Sequence, residues 1–190
     1  MAAFTLIELM FVLGVAATLA STAVVPIRTG IDGVRAAGAA RRVVARLQQA
    51  RVRAVVRGRD TAIRFAQNGA GYTETMYEDG NGNGVLAADI SAGVDVAVGT
   101  PERMADQFPG VDFGTLPSIP SAEGSAAPGS DPIRLGSSDG VTFTPAGTAT
   151  SGSLYLLSRG GIQLVVRIYG ETGRTRILKY YSATGQWSAP

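Results

Sequence analysis

Cysteine and histidine are absent from the 190 residues, and Lys179 is the only lysine. Without cysteine there is no disulfide framework, no thiolate metal site and no cysteine nucleophile. Without histidine the commonest general base and the commonest zinc ligand are missing. Paired carboxylates or a Ser-Lys dyad could still support hydrolysis, but the chain shows no motif for either. The composition argues against an enzyme.

What the chain does have is a long apolar run. From Phe4 to Val25, 22 positions carry one charge, Glu8. As a helix they would span roughly 33 Å, close to the thickness of a bilayer core. A lone carboxylate in such a helix costs about 2.5–3.5 kcal/mol on insertion scales, which makes Glu8 a functional candidate. The run holds no cation to neutralise it. Pro26 closes the run, and the remainder is enough for one modest globular domain.

Net charge is only +2, but it is segregated along the chain. Residues 28–64 hold ten Arg against Asp32 and Asp60, whereas residues 74–139 hold eleven acids against Arg103 and Arg134. From Arg159 to Lys179 the balance is basic again. Such polarity suits ordered docking on neighbours. A solvated surface of mixed sign is the plainer alternative.

The periodicity predicts an α+β fold, with a long N-terminal helix packed on a small antiparallel β-sandwich. Val43, Leu47, Ala50 and Ala54 recur at helical spacing, with Val44 and Val55 widening that face and Arg42, Arg46, Gln49 and Arg53 on another. One helix is expected from Phe4 to about Arg57, with a bend or loosening near Gly30, Gly33 and Gly38. It divides into an apolar half (4–25) and an amphipathic extension (26–57). A β-rich domain follows over 58–190. Strands are predicted at Thr61–Phe65, Tyr72–Tyr77, Val94–Val98, Gly140–Phe143, Ser153–Ser158, Ile162–Tyr169 and Thr175–Tyr181. Residues 115–132, rich in Pro, Ser, Gly and Ala, read as a mobile surface loop.

Three further groups of residues could carry binding. Asp79-Gly80-Asn81-Gly82-Asn83-Gly84 matches the opening of a calcium loop, with Asp79, Asn81, Asn83 and the nearby Asp89 as oxygen donors for Ca²⁺. The twelfth position is Ile90 rather than Glu, and a hairpin turn with positive φ at glycine explains the same residues. Arg174, Arg176 and Lys179 interleave with Tyr180, Tyr181 and Trp187, a pattern suited to nucleic acid. A final strand with inward aromatics and outward charges reads equally well. The Arg-rich helical stretch 41–64 would face neighbouring subunits, and Arg46→Glu is expected to weaken assembly while leaving the domain folded.

The stretch Ala3-Phe4-Thr5-Leu6-Ile7-Glu8 resembles the processing site of type IV pilins and pseudopilins. The resemblance implies cleavage by a prepilin peptidase between Ala3 and Phe4, leaving residues 1–3 as residual leader. It also implies methylation of the new Phe4 amine, and pairing of Glu8 with that amine on a neighbouring subunit. The layout further resembles the GspH/FimT branch of minor subunits. Asp79–Gly84 follows a strand pair, Val141-Thr142-Phe143-Thr144-Pro145-Ala146-Gly147 follows the loop, and Gly173-Arg174-Thr175-Arg176 lies near the C-terminus.

The expectation is a structural subunit that primes or caps a short filament of a type II secretion system or type IV pilus. It would be held by a single pass in the bacterial inner membrane, with a periplasmic domain. Its partners would be other pseudopilins or pilins and the inner-membrane assembly platform. The alternative is a pilus-associated subunit that binds DNA for uptake.

Overall fold

A computed structural model describes residues 5–69, 71–124, 127–136 and 138–190, and for residues 20–29 the backbone alone. Ala3 and Phe4, where processing is expected, lie outside the described residues.

One helix, α1 (Leu6–Arg57), runs 52 residues without a break. Pro26, Gly30, Gly33 and Gly38 lie inside it. A proline inside a helix costs about 3 kcal/mol, and the burial of the second half of α1 is what holds the helix against that cost. Its start is a capping box: the Thr5 side chain accepts from the Glu8 N–H, and the Glu8 carboxylate accepts from the Thr5 N–H. Its end is Gly58, at φ 64°, a left-handed conformation that favours glycine.

Among the described residues, eleven strands form two antiparallel sheets. The first joins β1 (Thr61–Asn68), β2 (Gly71–Glu78), β3 (Val96–Ala97), β4 (Glu102–Arg103) and β7 (Gly140–Phe143), in the order β3-β2-β1-β7 with β4 also on β2. The second joins β5 (Val111–Phe113), β6 (Ile133–Arg134), β8 (Gly152–Ser158), β9 (Gln163–Tyr169), β10 (Arg174–Tyr181) and β11 (Gln186–Ser188), in the order β11-β10-β9-β8-β5 with β6 also on β8. Two short helices, α2 (Ala87–Ser91) and α3 (Met104–Gln107), sit in the connections. All the strands predicted from alternation are present, Gly140–Phe143 with the expected ends and the others with shifted ones. The strand expected at 94–98 shrinks to two residues. Strands β4, β5, β6 and β11 are too short for a period of two to reveal.

The second half of α1 shares one core with both sheets. Ala36, Ala39, Ala40, Val43, Leu47, Ala50 and Ala54 are buried against Ile63, Phe65 and Phe143 of the first sheet and Leu154, Val166 and Ile168 of the second. Five of those seven helix residues are alanine, so the backbone can approach the sheets closely. Val44 is partly buried there, but Val55 is 52% exposed, against the expectation. It lies 100° round the helix from Ala54, outside the contact stripe. Phe113 ties the sheets together, meeting Phe65 and Tyr72 edge to face at centroid distances of 5.2 and 5.9 Å. Further up the helix, Asp32 accepts from Ser158 Oγ (2.6 Å) and the Gly160 N–H (3.1 Å), pinning α1 to the second sheet.

Among the described residues, the segment expected to be a mobile loop carries no regular element between Phe113 and Ile133, but its first part is anchored. Leu116, Ile119 and Ala122 pack on Tyr155, Val165 and Leu178, across the sheet face turned away from α1. Gln163 Oε1 accepts from the Leu116 N–H, Trp187 Nε1 donates to the Pro120 carbonyl, and Arg167 donates to the Ala122 carbonyl. Composition indicated a loop. It could not show that an apolar sheet face waits beneath it.

Candidate functional site

The charge segregation along the chain resolves first into contacts within it. Arg42 and Arg46 lie one helical turn apart on α1 and reach the same pair of carboxylates. Glu74 and Glu102 are directly opposed on β2 and β4, a like-charge pairing that is unfavourable unless something bridges it. Arg42 does so: Nη1 meets Glu74 Oε1 at 2.6 Å, Nη2 meets Glu102 Oε2 at 2.5 Å, and Nε donates to Gln107 at 2.8 Å. Arg46 Nη2 adds a contact to Glu102 at 3.3 Å. Arg53 Nε meets Glu78 at 2.6 Å.

Burial pushes the Glu74 carboxyl above its ordinary range, opposed by Arg42 and Arg46. Burial also pushes Glu102 up, but Arg42, Arg46 and Gln107 bring it out below that range. The Arg42 guanidinium is disfavoured by burial, yet the two carboxylates raise it overall.

These contacts correct the reading of the arginine-rich stretch. Arg42, Arg46 and Arg53 hold the helix to its own domain, while Arg41 and Arg57 are exposed. Arg46→Glu would set a third acid beside Glu74 and Glu102, so it is expected to destabilise the domain rather than report on assembly. The network was missed because it joins residues 32 and 60 positions apart. The only signal for it in the sequence was an i, i+4 pair of arginines beside a buried face.

The Asp79–Gly84 loop closes on itself. Asp79 Oδ1 accepts the N–H groups of Asn81 (3.0 Å) and Gly82 (2.8 Å), and Oδ2 accepts that of Gly84 (3.0 Å). Asp89 Oδ2 accepts from the side-chain amides of Asn81 and Asn83. Asp95 closes the far side, accepting from Gly80 and Leu86 N–H groups. Gly82 and Gly84 take φ values of 83° and 90°, as the turn reading requires.

Asp79, Asn81 and Asp89, three of the four groups proposed for Ca²⁺, thus already accept hydrogen bonds from the loop itself. Among the described residues no group of three or more acidic, His or Cys side chains is placed to hold a metal. Burial pushes the Asp79 carboxyl up, but backbone N–H donors led by those of Gly82 and Gly84 hold it below its ordinary value of 3.8. The carboxylate's contribution to stability is therefore complete at neutral pH and is lost as pH falls below that value. Asp79→Ala should lower stability by about 2–4 kcal/mol, since three N–H groups lose a charged acceptor. Urea melting would measure it. A rise in melting temperature on adding Ca²⁺ to the unaltered chain would count for a metal site instead.

At the C-terminal strand the expected cluster divides. Arg174 pairs across with Tyr169 and Arg176 with Arg167, all on the sheet face turned away from α1. Lys179 pairs with Leu164, on the opposite face, and its ammonium lies 5.3 Å from the Tyr181 ring centroid. An odd offset along a strand reverses the side. The aromatics are engaged internally: Trp187 meets Tyr155 and Tyr180 at centroid distances of 5.8 and 5.3 Å, over the anchored loop. Arg174 and Arg176 remain exposed, with no side-chain partner among the described residues.

At the other end, Glu8 is exposed and accepts from the Thr5 N–H at 3.3 Å and the Thr5 hydroxyl at 3.2 Å. Its capping role was legible as Thr-x-x-Glu. Among the described residues no helix is long and apolar enough to cross a membrane.

Against known proteins, the family model described as "Type II transport protein GspH" matches residues 39–173, well over half of the chain. No curated protein and no solved structure matches. The matched region covers α1 from Ala39 onward, the Arg42–Glu74 bridge, the Asp79 loop and both sheets as far as the β9–β10 turn. Its members are structural pseudopilins of type II secretion rather than enzymes. The chain belongs to the GspH family.

Proposed function

We propose that the chain is a minor pseudopilin that primes or caps a short filament of a type II secretion system. The observation that carries this is the first half of α1. Leu6 and Ile7 are each 77% exposed and Phe11 is 74% exposed, and the apolar series continues to Leu19. A surface of that kind on a free-standing helix needs a cover. Before assembly the cover would be the inner membrane, crossed as a single pass by the 22-residue apolar run from Phe4 to Val25, which extends beyond the fully described residues. After assembly it would be the matching helices of other pseudopilins. Cleavage after Ala3 and methylation of Phe4 by the prepilin peptidase would prepare the end that meets Glu8 of a neighbour. The globular domain would remain periplasmic.

The absence of cysteine supplies a clean test. Single substitutions Leu13→Cys and Val34→Cys introduce the only thiols into an otherwise thiol-free chain. Paired with cysteines on the helices of partner pseudopilins, Leu13→Cys should cross-link in secreting cells. Cross-links confined to positions in the globular domain would overturn the helix-packing reading. Subunit-subunit cross-links in pilus fibres in place of secretion filaments would point to a type IV pilus.

The DNA-uptake reading keeps only Arg174 and Arg176 of its three cations on one face, with the neighbouring Trp187 and Tyr180 turned inward.

A further inference from the structure

Strand β10 leaves part of its outer edge open. On one side it pairs with β9 from Arg174 to Lys179, and on the other β11 covers only Lys179–Tyr181. Among the described residues no strand lies beside Arg174–Leu178 on that side. Alternate N–H and C=O groups of this stretch therefore point to solvent, the arrangement that accepts another strand. Beyond the ladder with β9, Thr175–Leu178 make no backbone hydrogen bond to any of the described residues.

The open edge borders a groove of about 920 Å³ across the outer face of β8–β10. Arg134, Arg167, Arg174 and Arg176 line it, with Glu123, Asp131 and Glu171. Arg167 is fixed, donating to the Ala122 carbonyl at 2.8 Å and lying 5.2 Å from the Tyr169 ring centroid. Its Nε is buried without a hydrogen-bond partner. Arg174 and Arg176, two residues apart at the edge, are the unengaged cations.

We propose that this edge docks an extended segment of another protein, with carboxylates at alternate positions, as an added strand. The period of a strand sets the pattern. Residues of the incoming segment opposite Arg174 and Arg176 fall on the groove face, where a carboxylate meets each guanidinium. Residues opposite Thr175 and Ile177 fall on the core side, where Ile177 packs against the core and an apolar side chain is preferred. The backbone ladder supplies binding, and the acidic-apolar alternation supplies register and selectivity. A nucleic acid could use the arginines but not the ladder. It would also lack the stacking platform that the inward-turned Trp187 and Tyr180 would have offered.

The test uses the full chain in detergent and a short fluorescent peptide alternating Glu with Val. A peptide of identical composition with its glutamates clustered serves as control. The alternating peptide should bind at least about tenfold more tightly than the control, and amide exchange should slow at Arg174–Leu178. Arg174→Gln with Arg176→Gln should weaken it by about tenfold or more without changing the melting temperature. Backbone N-methylation of the peptide should abolish binding. Equal binding of the control peptide, or binding without amide protection, would overturn the proposal. So would no binding, which would leave the arginines merely keeping the edge solvated. Displacement of the peptide by single-stranded DNA, with β10 amides unprotected, would assign the groove to nucleic acid instead.

Discussion

Arg42→Ala is expected to lower stability by about 3–5 kcal/mol at neutral pH, the effect of leaving a buried charge without its partner. Glu74 is 2% exposed and directly opposes Glu102 across β2 and β4. Arg42 is the group that makes this pairing tolerable, and Arg46 is poorly placed to replace it, with its Nε 3.9 Å from Glu74. Urea denaturation in detergent would measure the loss.

The pH dependence identifies the cause. Burial already raises Glu74 above its ordinary value of 4.5 in the folded chain. An acid raised on folding favours the folded state below its unfolded pKa, and this contribution is lost as pH rises through the folded pKa. Removing Arg42 raises the folded pKa further and extends that window upward. The penalty should therefore be full near pH 7 and shrink as pH falls toward 4.5. Adding Glu74→Gln to Arg42→Ala removes the orphaned charge and should recover a large part of the loss. A penalty independent of pH, with no recovery in the double variant, would mean that Arg42 acts through packing alone.

Glu8→Ala is expected to leave the chain in the membrane and to reduce its incorporation into filaments by about tenfold or more, the ratio that about 1.4 kcal/mol produces. Two roles compete for this carboxylate. It closes the capping box with Thr5, and it is the proposed partner of a neighbour's Phe4 amine. Glu8→Gln separates them. Glutamine retains a capping-box acceptor but carries no charge. Failure of both variants would assign the defect to the lost charge. Normal incorporation of Glu8→Gln would reduce Glu8 to a helix cap.

Much of the architecture was legible before any coordinates. The helix from Leu6 to Arg57 and its buried stripe follow from spacing, because a period of 3.6 residues places Val43, Leu47, Ala50 and Ala54 on one side whatever lies opposite. The longer strands follow from alternation in the same way. Two local signals were present but not used. Thr5-x-x-Glu8 specifies a capping box, and the odd offset from Arg174 or Arg176 to Lys179 already separates them once β10 is a strand. The Asp79 loop was legible as a choice between turn and metal site. Its closure depends on Asp89 and Asp95 returning from further along the chain.

By itself, then, the sequence determined the long helix, the strand-rich domain behind it, the exclusion of thiol and imidazole chemistry, and the lone carboxylate near the N-terminus. Each of these depends on composition or on a repeat a few residues long. Tertiary structure alone decided which charges meet. It turned an arginine-rich helix face from a docking surface into an internal bridge, set the loop after Phe113 over an apolar sheet face, and left the edge of β10 open beside two unpaired arginines. The reason is range. Hydrophobic periodicity acts between neighbours on one element, whereas an ion pair or an open edge depends on which distant strand the chain brings alongside, and the chain must close into sheets before that is decided.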